Sequence, residues 1–457
     1  MNNTSPERIK ELNALQREYY ASGATRDLHF RREMLSKLLG AIKKWEKPLY
    51  EALWKDLHKS EEEAFLTETS IVTGEIRSHL RHLSRWARTQ CVATPVQMFP
   101  SRSRIVKEPL GSTLIIAPWN YPFQLLLNPL VGAISAGCTA VLKPSPYVPN
   151  VSRVIEEMIV GTFDERFIAV VQGNREANAQ LLALRWDLIF FTGSPALGRT
   201  VMESAAKYLT PVVLELGGKS PCIITADADL KLAAKRLAWG KALNAGQTCI
   251  APDYVLIDRK IRDSFVNEYL RQVHALLGPD PKAAKHFVRM VSDKAFERVS
   301  SYIEGDFRGG RTDASERYIE PAVVIDPAPD SPVMTTEIFG PVLPVCSFST
   351  LEEAINFVNG REKPLALYFF GKPRDGREVI RRTSSGGACI NDTIMHIVND
   401  RVPFGGVGNS GMGSYHGKRS FDTFTHERAV IITPRKTDMP FRYMPYKLYG
   451  IFRRILG

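Results

Sequence analysis

Thr113-Leu114-Ile115-Ile116-Ala117 is a short apolar run that breaks off at Pro118-Trp119-Asn120-Tyr121-Pro122-Phe123. A helical stretch follows from Gln124 to Ala136, then a second short run, Ala140-Val141-Leu142-Lys143. Apolar segments of strand length, joined by helices, are the repeating unit of a parallel sheet covered on both faces. The rhythm continues outward from this start. Val151 to Ile159, Glu176 to Leu184 and Leu197 to Leu209 read as helices. Ile168 to Val171, Leu188 to Thr192 and Pro211 to Leu216 read as the strands between and after them. The pattern predicts a doubly wound, Rossmann-like α/β domain.

Upstream, from about Pro6 to Thr89, apolar residues such as Leu35, Leu38, Leu39, Ile42 and Trp45 recur at helical spacing with Lys and Glu between them. The stretch Trp86 to Ile105 changes character, with Pro95 and Pro100 in an extended or irregular arm. Downstream, a second α/β unit opens near Lys219 with the strand Cys222 to Thr225 and a helix capped near Asp227 or Asp229, and it runs to about Tyr415. Arg428 to Thr433 is an apolar strand suited to pairing outside the two cores. The fold class is therefore α/β, two doubly wound domains with a small β arm. The expected division is a cofactor-binding domain (1–88 and 106–217), a catalytic domain (218–427), an oligomerisation arm (89–105 and 428–440) and a tail (441–457).

A chain of 457 residues, 44% apolar, is long enough for two domains with sizeable cores. Its polar start has no secretory apolar region, and no apolar run approaches the roughly 18 residues that span a bilayer. Six cysteines without a CxxC pair point to a reducing, cytoplasmic setting and away from a disulfide framework or structural zinc. Cys138, Cys222 and Cys346 read as small buried hydrophobes. The nine histidines show no metal spacing, and no metal site is expected. The net charge of +11 comes from dispersed basic residues, so it favours anionic cofactors rather than nucleic acid.

Three glycine-rich segments differ in weight. Gly217-Gly218-Lys219-Ser220 ends like a P-loop, but the required earlier glycine is Val213, so NTP hydrolysis is rejected. Gly406-Val407-Gly408-Asn409-Ser410-Gly411 matches G-x-G-x-x-G without a strand before it or a helix after it, and reads as a closely packed loop. Thr192-Gly193-Ser194-Pro195-Ala196-Leu197-Gly198 does join a strand to a helix. Its free N–H groups suit a pyrophosphate.

The chemistry centres on Asn244-Ala245-Gly246-Gln247-Thr248-Cys249 and Glu215-Leu216-Gly217-Gly218. A cysteine in a small polar loop is accessible, and a glutamate before paired glycines lies where backbone approaches a ligand. A thiol nucleophile with a carboxylate base can make and then hydrolyse a thioester.

These segments, with Ala117 to Phe123, Val141-Leu142-Lys143-Pro144-Ser145 and Thr336-Glu337-Ile338-Phe339-Gly340-Pro341-Val342, resemble the aldehyde dehydrogenase superfamily from Thr113 to Arg428. Cys249-Ile250-Ala251-Pro252-Asp253-Tyr254, Ser384 to Gly387, Asn391-Asp392 and Pro403 to Phe424 resemble its class 3 branch, whose members are dimers that oxidise medium- and long-chain aliphatic or aromatic aldehydes. The resemblance implies that Cys249 attacks the aldehyde, that the Asn120 amide and the Cys249 N–H hold the oxyanion, and that Glu215 activates water. It implies cofactor contacts at Trp119, Lys143, Ser145, Gly193, Ser194, Gly198, Leu216, Gly217, Glu337 and Phe339. Lys143 would reach the adenosine ribose, Ser194 the pyrophosphate, and Glu337 with Phe339 the nicotinamide ribose. One position departs from the family: Lys-Pro-Ser is followed by Pro146 instead of glutamate, which removes repulsion toward a 2′-phosphate. NADP is therefore expected at least as well as NAD. A CoA-acylating relative is disfavoured by Glu215, and an inactive scaffold by the retention of Cys249, Glu215, Asn120 and Glu337. The basic, aromatic tail from Arg435 to Gly457 is expected to wrap its own subunit or its partner rather than a membrane surface.

Overall fold

The computed structural model describes residues 3–438, 443–446 and 449–456. Met1 and Asn2, the last two residues of the expected arm (439–440) and parts of the expected tail (441–442, 447–448 and 457) lie outside the described residues.

The strand-helix rhythm is present as a six-stranded sheet. Its order is Gly411–Met412, Val212–Leu216, Leu188–Gly193, Ser112–Ile116, Thr139–Lys143, Ile168–Val170. All five residues of Ser112–Ile116 and of Thr139–Lys143 are buried, which is why these strands read as unbroken apolar runs. The chain enters at the middle of the sheet, winds to one edge, and returns to Leu188–Gly193 on the other side of its starting strand. That reversal opens a crevice at the carboxyl ends of Ser112–Ile116 and Leu188–Gly193. Asn120 and Ser194 leave the sheet there. The helix Gln124–Ala136 is buried along its whole length and ends at Gly137, whose left-handed φ of 91° suits glycine.

Three long N-terminal helices cover this sheet. Pro6–Ala21, capped by Ser5, packs against the strands of the sheet. Leu28–Leu57 lies on Pro149–Val160, and Ser70–Trp86 lies on Gln124–Ala136. Between the last two the chain makes a short helix, Glu61–Ala64, and a wide π-helical turn, Phe65–Thr69. Helical spacing did not predict that turn. It rotates Glu68 into the interior, where the residue is fully buried.

The second unit is a seven-stranded sheet, parallel except for Phe307–Gly309 at one edge. Its order is Phe307–Gly309, Ala322–Ile325, Val342–Phe348, Tyr254–Asp258, Pro221–Ile224, Ala366–Phe370, Gly387–Ile390. Its first helix, Leu230–Ala242, is capped by Asp229, whose carboxylate accepts the Leu232 N–H. Asp229 rather than Asp227 is thus the cap.

Two expectations need correction. The segment 218–427 is not one unit, because Gly411–Met412 pairs antiparallel with Leu214–Glu215 in the first sheet. The G-x-G-x-x-G loop makes this return. A Cβ on Gly411 would lie 2.1 Å from the Leu214 carbonyl oxygen, so only glycine allows the approach. Phe424 then stacks on Phe190 of the first sheet, 6.1 Å between centroids. The arm is also longer than its expected bounds: Gln90–Val92, Arg102–Pro109 and Thr425–Ile432 form one antiparallel sheet. Alternating charged and apolar residues concealed the ends of these half-exposed strands. Cys138 and Cys222 are buried as expected, whereas Cys346 is only half-buried. Among the described residues no helix is long and apolar enough to cross a membrane.

Candidate active site

Asn120 and Cys249 arrive from different sheets and meet through buried amides. The Asn120 side-chain nitrogen donates to the Gln247 carbonyl at 3.1 Å. The Asn244 side-chain nitrogen donates to that same carbonyl and to the carbonyl of Asn120, each at 3.0 Å. Gln247 is fixed in turn, donating to the carbonyls of Asn244 and Arg289 and accepting the Val291 N–H. Asn244, Ala245 and Gly246 have φ of 52°, 51° and 71°, three successive left-handed residues that fold the cysteine loop back on itself. Gly246 is required, since a Cβ there would meet the Gly340 carbonyl oxygen at 2.3 Å. Tyr121 and Thr248 hydroxyls close the contact at 2.6 Å.

Cys249 borders two spaces. One is a largely apolar cavity of about 780 Å³, walled by Leu66, Leu125, Trp239, Ile250, Ile394 and Phe404 among others. The other is a cleft of about 720 Å³ at the switch point of the first sheet, walled by Trp119, Asn120, Gly193, Ser194, Glu215, Glu337 and Phe339 among others. Glu215 is buried, and neither of its carboxylate oxygens has a partner. Burial holds its pKa well above the ordinary carboxylate range. Burial also pushes the Cys249 thiol up to about 12, with Glu337 and Glu215 adding like charge nearby. The backbone N–H groups of Cys249 and Ile250 act the other way, favouring the thiolate.

Across the cleft, Trp119 and Phe339 meet edge to face at 5.4 Å. Phe339 takes a left-handed φ of 51°. The turn is pinned by Arg298, which donates to the carbonyls of Glu337 (3.2 Å) and Ile338 (2.9 Å), and by Asp253, which accepts the Ile338 N–H. Burial raises the Glu337 carboxyl to about 8. It lies on Gly217, where a Cβ would fall 2.1 Å from its oxygen. Ser194 caps the helix Pro195–Ala206 beside the cleft.

Leu216 and Gly217 also wall the cleft, but Gly198, Lys143 and Ser145 do not. Gly198 lets the helix approach Leu216 of the neighbouring strand. Lys143 is buried and donates to the Pro144 carbonyl, and burial lowers its pKa to about 8. Ser145 accepts the Tyr147 N–H. Residues that the sequence reading missed include Asn244 and Gln247, which tie the two loops. Their place inside the motif Asn244 to Cys249 was the available signal. Among the described residues no group of three or more His, Cys, Asp or Glu could hold a metal ion.

The cleft has the features of a dinucleotide site: a helix N-terminus, a ring pair and a glycine that admits a carboxyl. The architecture is that of an α/β oxidoreductase. The aldehyde dehydrogenase family pattern matches residues 2–430. A 4,4'-diaponeurosporen-aldehyde dehydrogenase of Staphylococcus aureus is 43% identical over 97% of this chain and 99% of its own. A dimeric, NADP-preferring aldehyde dehydrogenase of Canis lupus familiaris is 43% identical over 96% of this chain and 98% of its own. The substrate-bound state of Staphylococcus aureus AldH superposes with a TM-score of 0.96 at 42% identity, covering 98% of this chain and 99% of that one. The chain belongs to the aldehyde dehydrogenase family and is an oxidoreductase that acts on aldehydes.

A thiol held near 12 exists as thiolate only to a minute extent at neutral pH. Inactivation of the cofactor-free protein by iodoacetamide should therefore rise about tenfold per pH unit between pH 7 and 10, because only the thiolate reacts. A plateau near pH 8 would show that the thiol is not raised.

Proposed function

We propose that this protein oxidises aldehydes to carboxylic acids through a thioester on Cys249, with NAD or NADP as oxidant. The observation that carries the reading is the place of Cys249, at the meeting of an apolar cavity and a dinucleotide-shaped cleft. The Cys249 sulfur forms a bond to the aldehyde carbon, and the carbonyl oxygen becomes an oxyanion. The Asn120 amide nitrogen carries two hydrogens. One is used on the Gln247 carbonyl, and the other is left for the oxyanion together with the Cys249 N–H. One such donor contributes roughly 3–4 kcal/mol to a transition state. NAD(P), when bound, takes up the hydride equivalent that turns the adduct into a thioester. Glu215 then draws a proton from water as it attacks the thioester carbon, the C–S bond breaks, and the acid leaves. A carboxyl with raised pKa and no partner is suited to that proton transfer.

On the cofactor side, Ser194 and the helix start would hold the pyrophosphate, with Gly193 and Leu216 at its flank. Trp119, Gly217, Glu337 and Phe339 would hold the nicotinamide half. Lys143 and Ser145 would serve the adenosine ribose, and Gly198 would let the helix lie close enough. Burial lowers the Lys143 pKa, and among the described residues no carboxylate forms an ion pair with it. That fits Pro146 in place of an acid and supports NADP use, as does the NADP-preferring relative. The walls of the 780 Å³ cavity favour medium- and long-chain aliphatic or aromatic aldehydes. The arm exposes Val92, Ile431 and Ile432 on its sheet and Val96 and Phe99 on the turn between its first two strands, which supports a homodimer paired through it. Six unpaired cysteines fit a cytoplasmic setting.

Glu215→Gln should release about one equivalent of NAD(P)H per subunit and then stall, since the thioester forms but is not hydrolysed. Steady turnover at the native rate would exclude Glu215 as the base, and Cys249→Ala should show neither phase. Initial rates at matched low cofactor concentrations should not favour NAD by tenfold or more. Pro146→Glu should shift preference toward NAD by about tenfold, the effect of one added charge near a 2′-phosphate. An unchanged ratio would remove Pro146 as a determinant.

A further inference from the structure

The segment from Lys59 to Thr69 directs three charged side chains inward, against both catalytic loops. Lys59 and Glu68 are 0% exposed and form an ion pair at 2.8 Å. The Lys59 ammonium also donates to the Asn120 carbonyl at 3.1 Å and lies 4.3 Å above the Tyr121 ring. The second oxygen of Glu68 accepts the N–H groups of Phe123 (3.2 Å) and Gln124 (2.9 Å). The helix Gln124–Ala136 has no side-chain cap of its own, so Glu68 caps it from another element. The π-helical turn Phe65–Thr69 is what aims Glu68 there. A third side chain, Glu63, accepts the N–H of Asn244, the residue that bridges Asn120 and Gln247.

An ion pair taken wholly out of water adds little stability, because desolvation offsets attraction; what it supplies is a fixed arrangement of donors and acceptors. Here that arrangement grips the stretch 120–124 at both ends, and the gripped stretch carries the Asn120 amide. We propose that Lys59 and Glu68 are positioning residues for aldehyde oxidation, setting the aim of the Asn120 amide at the oxyanion that forms when Cys249 adds to the aldehyde. The proposal rests on the reading of Asn120 as the oxyanion donor. Neither residue touches the cleft itself, and neither belongs to the motifs around Cys249.

The test is a double-mutant cycle in the full chain, comparing Lys59→Met, Asn120→Ala and the two combined. Lys59→Met should lower kcat for aldehyde oxidation about 100-fold, as a misplacement near 1 Å does. Two readouts that need no oxyanion should stay close to native: the affinity for NADP, and the rate of Cys249 alkylation by iodoacetamide followed by mass spectrometry. In the Asn120→Ala background, Lys59→Met should add less than about threefold, since changes acting through one group do not add. An equal loss in both backgrounds would overturn the proposal, as would native kcat in Lys59→Met. Lys59→Met with Glu68→Gln removes both charges and guards against a lone buried carboxylate unfolding the protein. If that variant melts at the native temperature and keeps native kcat, the proposal is also wrong. Native kcat in Asn120→Ala alone is a separate result, which overturns the oxyanion reading and this proposal with it.

Discussion

The carbonyl oxygen of Gln247 is the point on which the site depends. It accepts from Asn120, at the end of a strand in the six-stranded sheet, and from Asn244, at the end of a helix beside the seven-stranded sheet. The contacts of Asn120 with Gln247 and with Asn244 span more than a hundred positions of sequence, and no local propensity draws them together. They hold because the alternative is costly: a buried amide or carbonyl left without a partner loses the hydrogen bond that water would give it. Satisfying all three groups allows essentially one spacing between the loops. The left-handed run Asn244 to Gly246 and the contact of Gly246 with the Gly340 carbonyl are the backbone conditions for that spacing.

Desolvation governs the electrostatics inside this frame. Cys249, Glu215 and Glu337 are three acids around one cleft, and burial raises the pKa of each. Like charge compounds the effect at Cys249, where Glu337 and Glu215 both add to it. The nearby cations Lys219 and Arg298 offset only part of the rise at Glu337. Lys219 is committed to Asp253 and to the carbonyls of Val333 and Thr336, while Arg298 is committed to the turn around Glu337. Ionising one acid therefore opposes ionising the next. Such a site suits a reaction in two halves, one needing a thiolate and the other a carboxylate, and never both charges at once.

Much of the fold was legible because its central strands are buried on both faces. Leu114 to Ile116 and Val141 to Leu142 have no polar alternation to mislead, and Gly137 and Gly193 mark real ends. Asn120, Ser194 and Gly217 were legible for the same reason, since each follows such a strand, whereas Glu337 and Phe339 follow the short helix Pro332–Thr335. What escaped was whatever depends on contacts distant in sequence. Gly411 reads as one more glycine in a loop until Leu214 is placed beside it. Glu68 sits among polar helix residues, and nothing around it announces a π-helical turn or a partner at Gln124, 56 positions away.

The division between satisfied and unsatisfied groups follows the division of labour in the proposed reaction. Groups that must stay still are bonded on several sides: the Gln247 amide, the Asn244 amide nitrogen, and the Asn120 carbonyl, which receives both Lys59 and Asn244. Several polar atoms that line the cleft are left bare. Both oxygens of Glu215, one of Glu337 and the side-chain oxygen of Asn120 are buried without a partner. An unpaired polar atom in the interior costs about 1–3 kcal/mol. These bare atoms also lower the reorganisation needed when charge develops, because no existing bond has to break first. The rigid amide frame makes this tolerable. With the loops locked by their own hydrogen bonds, the Glu215 carboxylate keeps its place in the wall of the cleft that Cys249 borders.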